Sequence, residues 1–150
     1  MSQSLASILI HIIFSTKMRR PLIQNDVIKD LHSYMAGISR AYKGHVHEIG
    51  GIEDHVHILL SLPRTVTLSH LIEEIKKSSS VWIKTKGKFY NDFAWQSGYG
   101  AFSIGQSNFD AVRMYIQNQK EHHKKMTFQD ELRAFLNKYK IAYDEKHLWD

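Results

Sequence analysis

A short segment, residues 54–60, has the alternating pattern of a β-strand that is apolar on one face only. Successive side chains of a strand point to opposite faces of a sheet, so Val56 and Ile58 would face a core. His55 and His57 would then point together from the other face. Two imidazoles at neighbouring positions on one face can bind a single divalent ion, since histidine is the commonest side-chain metal ligand. A His-x-His pair alone is weak evidence for a metal site, so the interpretation depends on what other residues could reach the pair.

The other predicted elements place this strand inside a four-stranded sheet. Apolar runs and helical spacing predict six elements, with strands over 7–15, 45–49, 55–62 and 95–104 and helices over 25–42 and 67–85. Their order, strand–helix–strand–strand–helix–strand, is that of a split β-α-β, an α+β plan of the ferredoxin-like or RRM-like kind with an antiparallel sheet. With helices on one face, the face that carries His55 and His57 would be open.

Two further helices are predicted after the sheet. Residues 107–110 and 127–130 each have the form of a capping box, with aspartate in the place of the usual glutamate. They would open a helix over about 107–125 and an accessory helix over about 128–139. We therefore expect residues 1–150 to form a single α+β domain with C-terminal helices.

Composition narrows the class of protein. The 150 residues are 43% apolar, which suits one folded domain. No apolar run is long enough to cross a bilayer, and the absence of cysteine excludes disulfides and cysteine zinc sites, so we expect a cytoplasmic protein with no membrane partner. The net charge of +5 favours an anionic partner, with nucleic acid first. A basic loop that contains Lys17, Arg19 and Arg20 is the candidate for phosphate contacts.

The first of the C-terminal helices carries a candidate nucleophile. Tyr115, Gln119 and His123 follow one another at intervals of four residues, on one helical face. A tyrosine hydroxyl is a weak nucleophile at neutral pH because it is protonated. A divalent cation beside it would favour the oxyanion and neutralise charge on a phosphate. From the residues alone, an aromatic packing residue is the favoured interpretation of Tyr115, because most helical tyrosines pack in a core.

Together these segments resemble the single-tyrosine HUH transposases, the TnpA-like enzymes of small bacterial and archaeal insertion sequences. The run DHVHILL at 54–60 is similar to the family's HUH motif, which is histidine, a hydrophobic residue and histidine. The run YIQNQKEHH at 115–123 is similar to its catalytic helix, in which glutamine follows the tyrosine at i+4. The similarity extends to IIFSTK at 12–17 and WQSGYGAFS at 95–103, so it covers most of the chain in the right order.

The resemblance implies a metal-dependent single-stranded DNA endonuclease and strand transferase, that is, a transposase. Such enzymes cut and rejoin hairpin-containing element ends through a covalent 5′-phosphotyrosine. They use Mg²⁺ or Mn²⁺ without a nucleotide cofactor, and they act as homodimers in which the tyrosine helix can work in trans. Carried over by position, Tyr115 would be the nucleophile, and His55, His57 and Gln119 would bind the metal ion.

Several other histidines remain alternatives as ligands. In a tight hairpin His47 would lie near His57, either as a rival ligand or, as we expect, as a cross-strand polar neighbour. His122 and His123 compete with Gln119. Nitrogen ligands would favour Mn²⁺ or Zn²⁺, whereas an amide oxygen suits Mg²⁺ better.

His11, on the first strand, is expected to be a core or DNA-contact residue and not a ligand. Two functions of other kinds also remain open. One is a hairpin-binding protein that does not cleave, and the other is a phosphoesterase whose metal-bound water would make Tyr115 dispensable.

Overall fold

A four-stranded antiparallel sheet forms the centre of the computed structural model, which describes residues 2–150. The spatial order is β2-β3-β1-β4, and the strands are β1 Leu9–Ser15, β2 His45–Ile52, β3 His55–Ser61 and β4 Gly100–Ile104. The predicted α+β, ferredoxin-like plan is confirmed. Strands β1 and β3 are central, and Ile13 is paired with His57 across them.

Two long helices, α1 (Asn25–Ala41) and α2 (Leu68–Lys84), cover one face of the sheet. Each is amphipathic, and Leu31 of α1 and Leu71 of α2 are fully buried. They pack with the inward-facing residues of the strands, such as Ile58. Burial of an aliphatic side chain of this size contributes about 1.5–3 kcal/mol, so this layer is the main core.

Three shorter helices cover the opposite face: α3 Phe109–Gln117, α4 Gln119–His122 and α5 Phe128–Lys138. The expectation of an open face is therefore wrong, and His55 and His57 are 0% exposed. The reason is that this face of the sheet also carries apolar side chains, beside the two histidines, and the C-terminal helices bury them. Leu132 of α5 packs in a cluster with Phe102, and Ile116 of α3 packs with Leu59.

The helix expected over 107–125 is interrupted. A 3-10 turn, Gln106–Asn108, precedes α3, and Asn118, with φ −99° and ψ 25°, separates α3 from α4. No side chain caps the start of α3, so the first capping box is not formed. The second is formed in part, since the hydroxyl of Thr127 accepts a hydrogen bond from the amide of Asp130 at 3.2 Å. The accessory helix accordingly begins where it is predicted.

The fourth strand is shorter than the predicted strand over 95–104. Trp95 forms only an isolated bridge with Thr16, and β4 begins at Gly100. Between them the ammonium group of Lys76 donates to the carbonyl oxygens of Gln96 and Gly98, at 2.9 and 2.7 Å. These carbonyl groups therefore bond to a side chain and not to a neighbouring strand.

None of the helices within residues 2–150 has the length and apolar character that a membrane span needs.

Candidate active site

A buried carboxylate, that of Glu131 on α5, lies at the centre of a polar cluster between the sheet and the C-terminal helices. Glu131 is 1% exposed. Its Oε1 atom lies 2.9 Å from Nε2 of His57 and 3.3 Å from Nε2 of His55. It also lies 3.2 Å from Nε2 of His123, on the segment between α4 and α5. One oxygen of Glu131 therefore faces three imidazoles.

The second carboxylate oxygen, Oε2 of Glu131, faces the candidate nucleophile. It accepts a hydrogen bond from the hydroxyl of Tyr115 and another, of 3.1 Å, from the amide of Gln119. The ring of Tyr115 stacks on that of His122, with 4.3 Å between centroids, and lies 5.8 Å from that of His57. The phenol and the imidazole pair, on separate elements in the sequence, thus converge within one chain.

A glycine lets helix α3 reach this position. Gly50 of β2 lies under α3, and a Cβ atom added there would lie 2.3 Å from the carbonyl oxygen of Ile116. Only a residue without a side chain permits this close approach. Since Ile116 follows Tyr115 directly, Gly50 sets the height of the tyrosine above the sheet.

Gln119 remains in the cluster despite the helix interruption before it. It is 2% exposed, and its Oε1 atom lies 2.9 Å from Nε2 of His55 and 3.0 Å from Nε2 of His123. The structure therefore brings together all four residues that the sequence predicts for the site: His55, His57, Tyr115 and Gln119. Their chemical roles remain predictions at this point.

Both sheet histidines form a hydrogen bond through Nδ1, the ring nitrogen that faces away from Glu131. Nδ1 of His55 lies 2.7 Å from Oδ1 of Asp54, and Nδ1 of His57 lies 2.9 Å from Nε2 of His11. A partner on one ring nitrogen fixes the orientation of the ring and the direction of the other nitrogen. Both Nε2 atoms consequently point toward Glu131. His11 is 1% exposed, as a core histidine is expected to be.

Burial and neighbouring charges shift the pKa values of these groups strongly. Burial lowers the pKa of His57 to about 4 despite the nearby carboxylate. Burial acts on His55 in the same direction, but hydrogen bonds with Asp54 and Glu131 outweigh it and raise its pKa to about 9. Burial would raise the pKa of Glu131, yet hydrogen bonds from the surrounding histidines hold it well below its ordinary value. Burial, and then the charge of Glu131, raise the pKa of Tyr115. The phenol is therefore protonated until a positive charge reaches the site.

The donor set fits a divalent metal ion. Nitrogen atoms of His55, His57 and His123 and an oxygen of Glu131 all lie within 4.8 Å of one another. An ionised carboxylate close to several imidazoles is a combination that Mn²⁺ and Zn²⁺ accept readily, whereas Mg²⁺ prefers oxygen ligands throughout. The amide oxygen of Gln119 adds a further donor of the oxygen type.

Glu131 is the residue that the sequence analysis missed. A signal was present, because Glu131 interrupts the apolar stripe of α5 formed by Phe128, Leu132 and Phe135. A charged side chain in a buried stripe is rare unless it is paired. An acidic residue at such a position, in a chain with a His-x-His strand, was therefore a candidate ligand.

The structure separates the rival histidines. His123 lies in the cluster, whereas His122 stacks on Tyr115. The expectation that His47 lies near His57 is wrong, because the strand register pairs His57 with Gly50. His47 instead lies 2.7 Å from the hydroxyl of Ser61, at the far end of β3. It is a cross-strand polar neighbour, although of a different residue.

The predicted basic loop lies close to the cluster. It forms a 3-10 turn, Lys17–Arg19, in which Arg19 has a left-handed conformation with φ 55°. Lys17 and Arg20 are exposed, and the half-buried Arg19 borders a groove that is also lined by His123. The loop thus adds positive charge beside the polar cluster, and its contact with DNA remains a prediction.

Comparisons with known proteins agree with these motifs. Residues 4–119 match the family described as "Transposase IS200 like". Two curated relatives are transposases for insertion sequence element IS200, from Salmonella typhimurium strain LT2 and from Salmonella typhi. Each is 26% identical to the chain over an alignment of 119 residues, and the match covers 76% of this chain and 78% of the relative. The matched segment includes Tyr115 and Gln119 and ends before Glu131.

Two solved structures share the fold. One, from Deinococcus radiodurans R1, is described as a candidate transposase and has a TM-score of 0.59 at 18% identity, covering 77% of this chain and 93% of that one. The other is a REP-associated tyrosine transposase bound to a REP hairpin, with a TM-score of 0.60 at 17% identity, covering 82% of this chain and 74% of that one. At this level of identity they support the architecture alone.

Proposed function

We propose, because the chain belongs to the IS200-like transposase family, that it cuts and rejoins single-stranded DNA at hairpin-containing element ends through a covalent 5′-phosphotyrosine. One observation carries this proposal. The hydroxyl of Tyr115 lies in the same buried cluster as His55, His57 and Gln119, with Glu131 between them. A protein that only binds DNA does not require a phenol, imidazoles and a carboxylate at one point.

The residues that would hold a divalent ion are His55, His57 and Glu131, with His123 and Gln119 as further donors. We propose Mg²⁺ or Mn²⁺ as the cofactor, and the three imidazoles favour Mn²⁺ of these two. When bound, such an ion supplies positive charge that stabilises a phenolate and the charge that develops on a phosphate.

The chain's own residues provide the remaining chemistry. Glu131 holds the Tyr115 hydroxyl in place through Oε2. The tyrosine oxygen releases its proton to solvent water and forms a bond to phosphorus while the bond from phosphorus to the 3′ oxygen breaks. The leaving 3′ oxygen takes up a proton from solvent water and becomes a free 3′-hydroxyl. Attack of a 3′-hydroxyl on the phosphotyrosine reverses these changes, so rejoining needs no external source of energy.

The proposed partner is DNA that carries a hairpin. One structural neighbour is bound to a REP hairpin, and the basic loop of this chain, with Lys17 and Arg20 exposed, offers phosphate contacts.

We also propose a homodimer. The interruption at Asn118 separates the tyrosine helix from Gln119 and supports an exchange of α3 between protomers, whereas the contacts within one chain support action in cis.

The test uses a labelled single-stranded hairpin DNA incubated with the protein and Mn²⁺, and it looks for a covalent adduct on a denaturing gel. Wild-type protein should form the adduct, Tyr115→Phe should form none, and His57→Ala should form little. His47→Ala is the matched control and should behave as wild type, because His47 is remote from the cluster. Cleavage that persists in Tyr115→Phe would indicate a phosphoesterase, and binding without cleavage would indicate a hairpin-binding protein.

A further inference from the structure

A cavity lies beside Tyr115, between α3 and α5. Its volume is about 250 Å³. The buried ring of His11 forms its floor, and the exposed residues Asn108, Ala111 and Lys138 form its mouth. None of the residues of the metal cluster, His55, His57, His123 and Glu131, lines this cavity.

The walls of the cavity are aromatic and held rigidly. Phe135 and Tyr139 line it, and both rings stack on the buried ring of Phe102, with centroids 5.6 and 4.7 Å away. The ring of Tyr115 stands at 85° to that of Phe135, and the ring of His11 stands at 87° to it. Flat aromatic ligands are bound by such rings, and nucleic-acid bases stack on aromatic side chains irrespective of sequence.

The polar groups of the cavity suit a ligand with a polar edge and an attached phosphate. Asn108 carries an amide that can both donate and accept, and the ammonium group of Lys138 lies 5.5 Å from the centroid of the Tyr139 ring. At the floor, Nε2 of His11 is bonded to His57, whereas its Nδ1 has no hydrogen-bond partner among residues 2–150. A base has acceptors and donors along its edge, which an aliphatic side chain lacks.

We propose that this cavity binds the unpaired base of a nucleotide next to the phosphate that Tyr115 attacks. The proposal rests on the proposed function, because Tyr115 forms one wall of the cavity and directs its hydroxyl toward Glu131. A nucleotide whose phosphate reaches that hydroxyl has its own base within reach of the cavity. The enzyme would then read one base at the cleavage site directly.

The test measures binding without strand cleavage. Each of the four deoxynucleoside 5′-monophosphates is titrated into the protein in the absence of divalent metal, and binding is followed by saturation-transfer NMR and by shifts of the protein resonances. Ala111→Trp places a large side chain in the mouth. Ala134→Trp makes the same change at an exposed position of α5 that does not line the cavity. Thermal melts check that both variants are folded.

We expect saturable binding of at least one nucleotide to wild type and to Ala134→Trp, with shifts at Phe135 and Tyr139. Binding to Ala111→Trp should be weaker by roughly tenfold or more, as expected for the loss of base stacking. The proposal is overturned if none of the four nucleotides binds, or if Ala111→Trp binds as wild type does.

Failure of this proposal is distinguishable from failure of the strand-transfer proposal. A covalent adduct with hairpin DNA, together with no nucleotide binding, overturns the cavity proposal alone. Nucleotide binding that Ala111→Trp abolishes, together with no adduct, overturns strand transfer and keeps the cavity as a nucleotide site.

Discussion

The hydroxyl of Tyr115 donates a hydrogen bond to Oε2 of Glu131, and the two residues come from different helices of the layer that closes the second sheet face. The same carboxylate faces the sheet histidines through Oε1. Glu131 therefore joins the candidate nucleophile to the candidate metal ligands through its two carboxylate oxygens. Its removal should affect both.

Glu131→Gln tests this connection. The substitution keeps the shape of the side chain and removes its negative charge, so a divalent ion loses its only carboxylate donor in the cluster. We expect Mn²⁺ affinity to fall by at least about tenfold, with a parallel fall in the rate of adduct formation at limiting metal. Isothermal titration with Mn²⁺ measures the first quantity, and single-turnover cleavage measures the second.

Asp130→Asn is the control for Glu131→Gln, because it makes the same change in charge at the adjacent, exposed residue of α5. It should leave Mn²⁺ affinity as in wild type. If Glu131→Gln also binds Mn²⁺ with wild-type affinity, the carboxylate is a structural partner of the histidines and not a ligand.

The sheet and its histidines could be predicted because the signals are local. Alternation over 54–60 places His55 and His57 on one face whatever packs against it. Glu131 could not be placed in the same way, since it lies 74 residues from His57 in the chain and meets it only through the packing of α5. The position of His47 was missed because β2 continues to Ile52, beyond its predicted end at residue 49, so Gly50 and not His47 pairs with His57. Glycine is depleted in strands, so residues 50–51 give no sign of this extension.

The basic loop should contribute electrostatic, sequence-independent affinity for DNA. The backbone of the loop is held beside the site by hydrogen bonds, including one from the amide of Lys17 to the carbonyl of Ala94 at 2.8 Å. Replacing Lys17, Arg19 or Arg20 by alanine should weaken binding of all hairpin sequences alike. Each lost phosphate contact should also make the slope of log K against log salt shallower by about 0.7–0.9, the larger value applying to contacts with the duplex stem.

Fluorescence anisotropy with labelled hairpin DNA over a range of salt concentrations measures this slope. Lys29→Ala removes an exposed positive charge from α1, on the other side of the sheet, and should leave the slope unchanged. An equal effect of Lys29→Ala and Arg20→Ala would show that net charge matters and the loop does not.

Acid should destabilise the fold in part through His32 of α1. Burial lowers the pKa of His32 to about 4, and its Nε2 has no hydrogen-bond partner within residues 2–150. Between pH 6.5 and 4 the unfolded chain binds a proton at this histidine and the folded chain does not. Stability therefore falls as the pH falls through this window, by about 3 kcal/mol at its acid end for this one group.

His32→Leu should remove that part of the pH dependence. Urea unfolding at pH 7 and pH 4 gives the loss of unfolding free energy, which should be smaller in the variant by roughly 2–3 kcal/mol. His45→Leu, at an exposed position of an edge strand, is the comparison. If His32→Leu loses as much stability as wild type over this range, the histidine is protonated in the folded protein without penalty.

Gly50→Ala should disturb the site without touching any of its side chains. The added methyl group would lie 2.3 Å from the carbonyl oxygen of Ile116, so α3 must move away from β2 or the strand must bend. We expect a loss of about 1–3 kcal/mol in unfolding free energy. Adduct formation should also slow, because Tyr115 shifts relative to Glu131.

Gly37→Ala is the matched substitution, since a Cβ atom at this helical position has nothing within 4 Å. It should stabilise the protein by roughly 0.5–1 kcal/mol, because alanine is favoured over glycine inside a helix. Chemical denaturation of both variants measures the two changes, which should have opposite signs. A stable Gly50→Ala variant with wild-type adduct formation would show that α3 is not positioned by this close approach, and that Tyr115 reaches the cluster by another constraint.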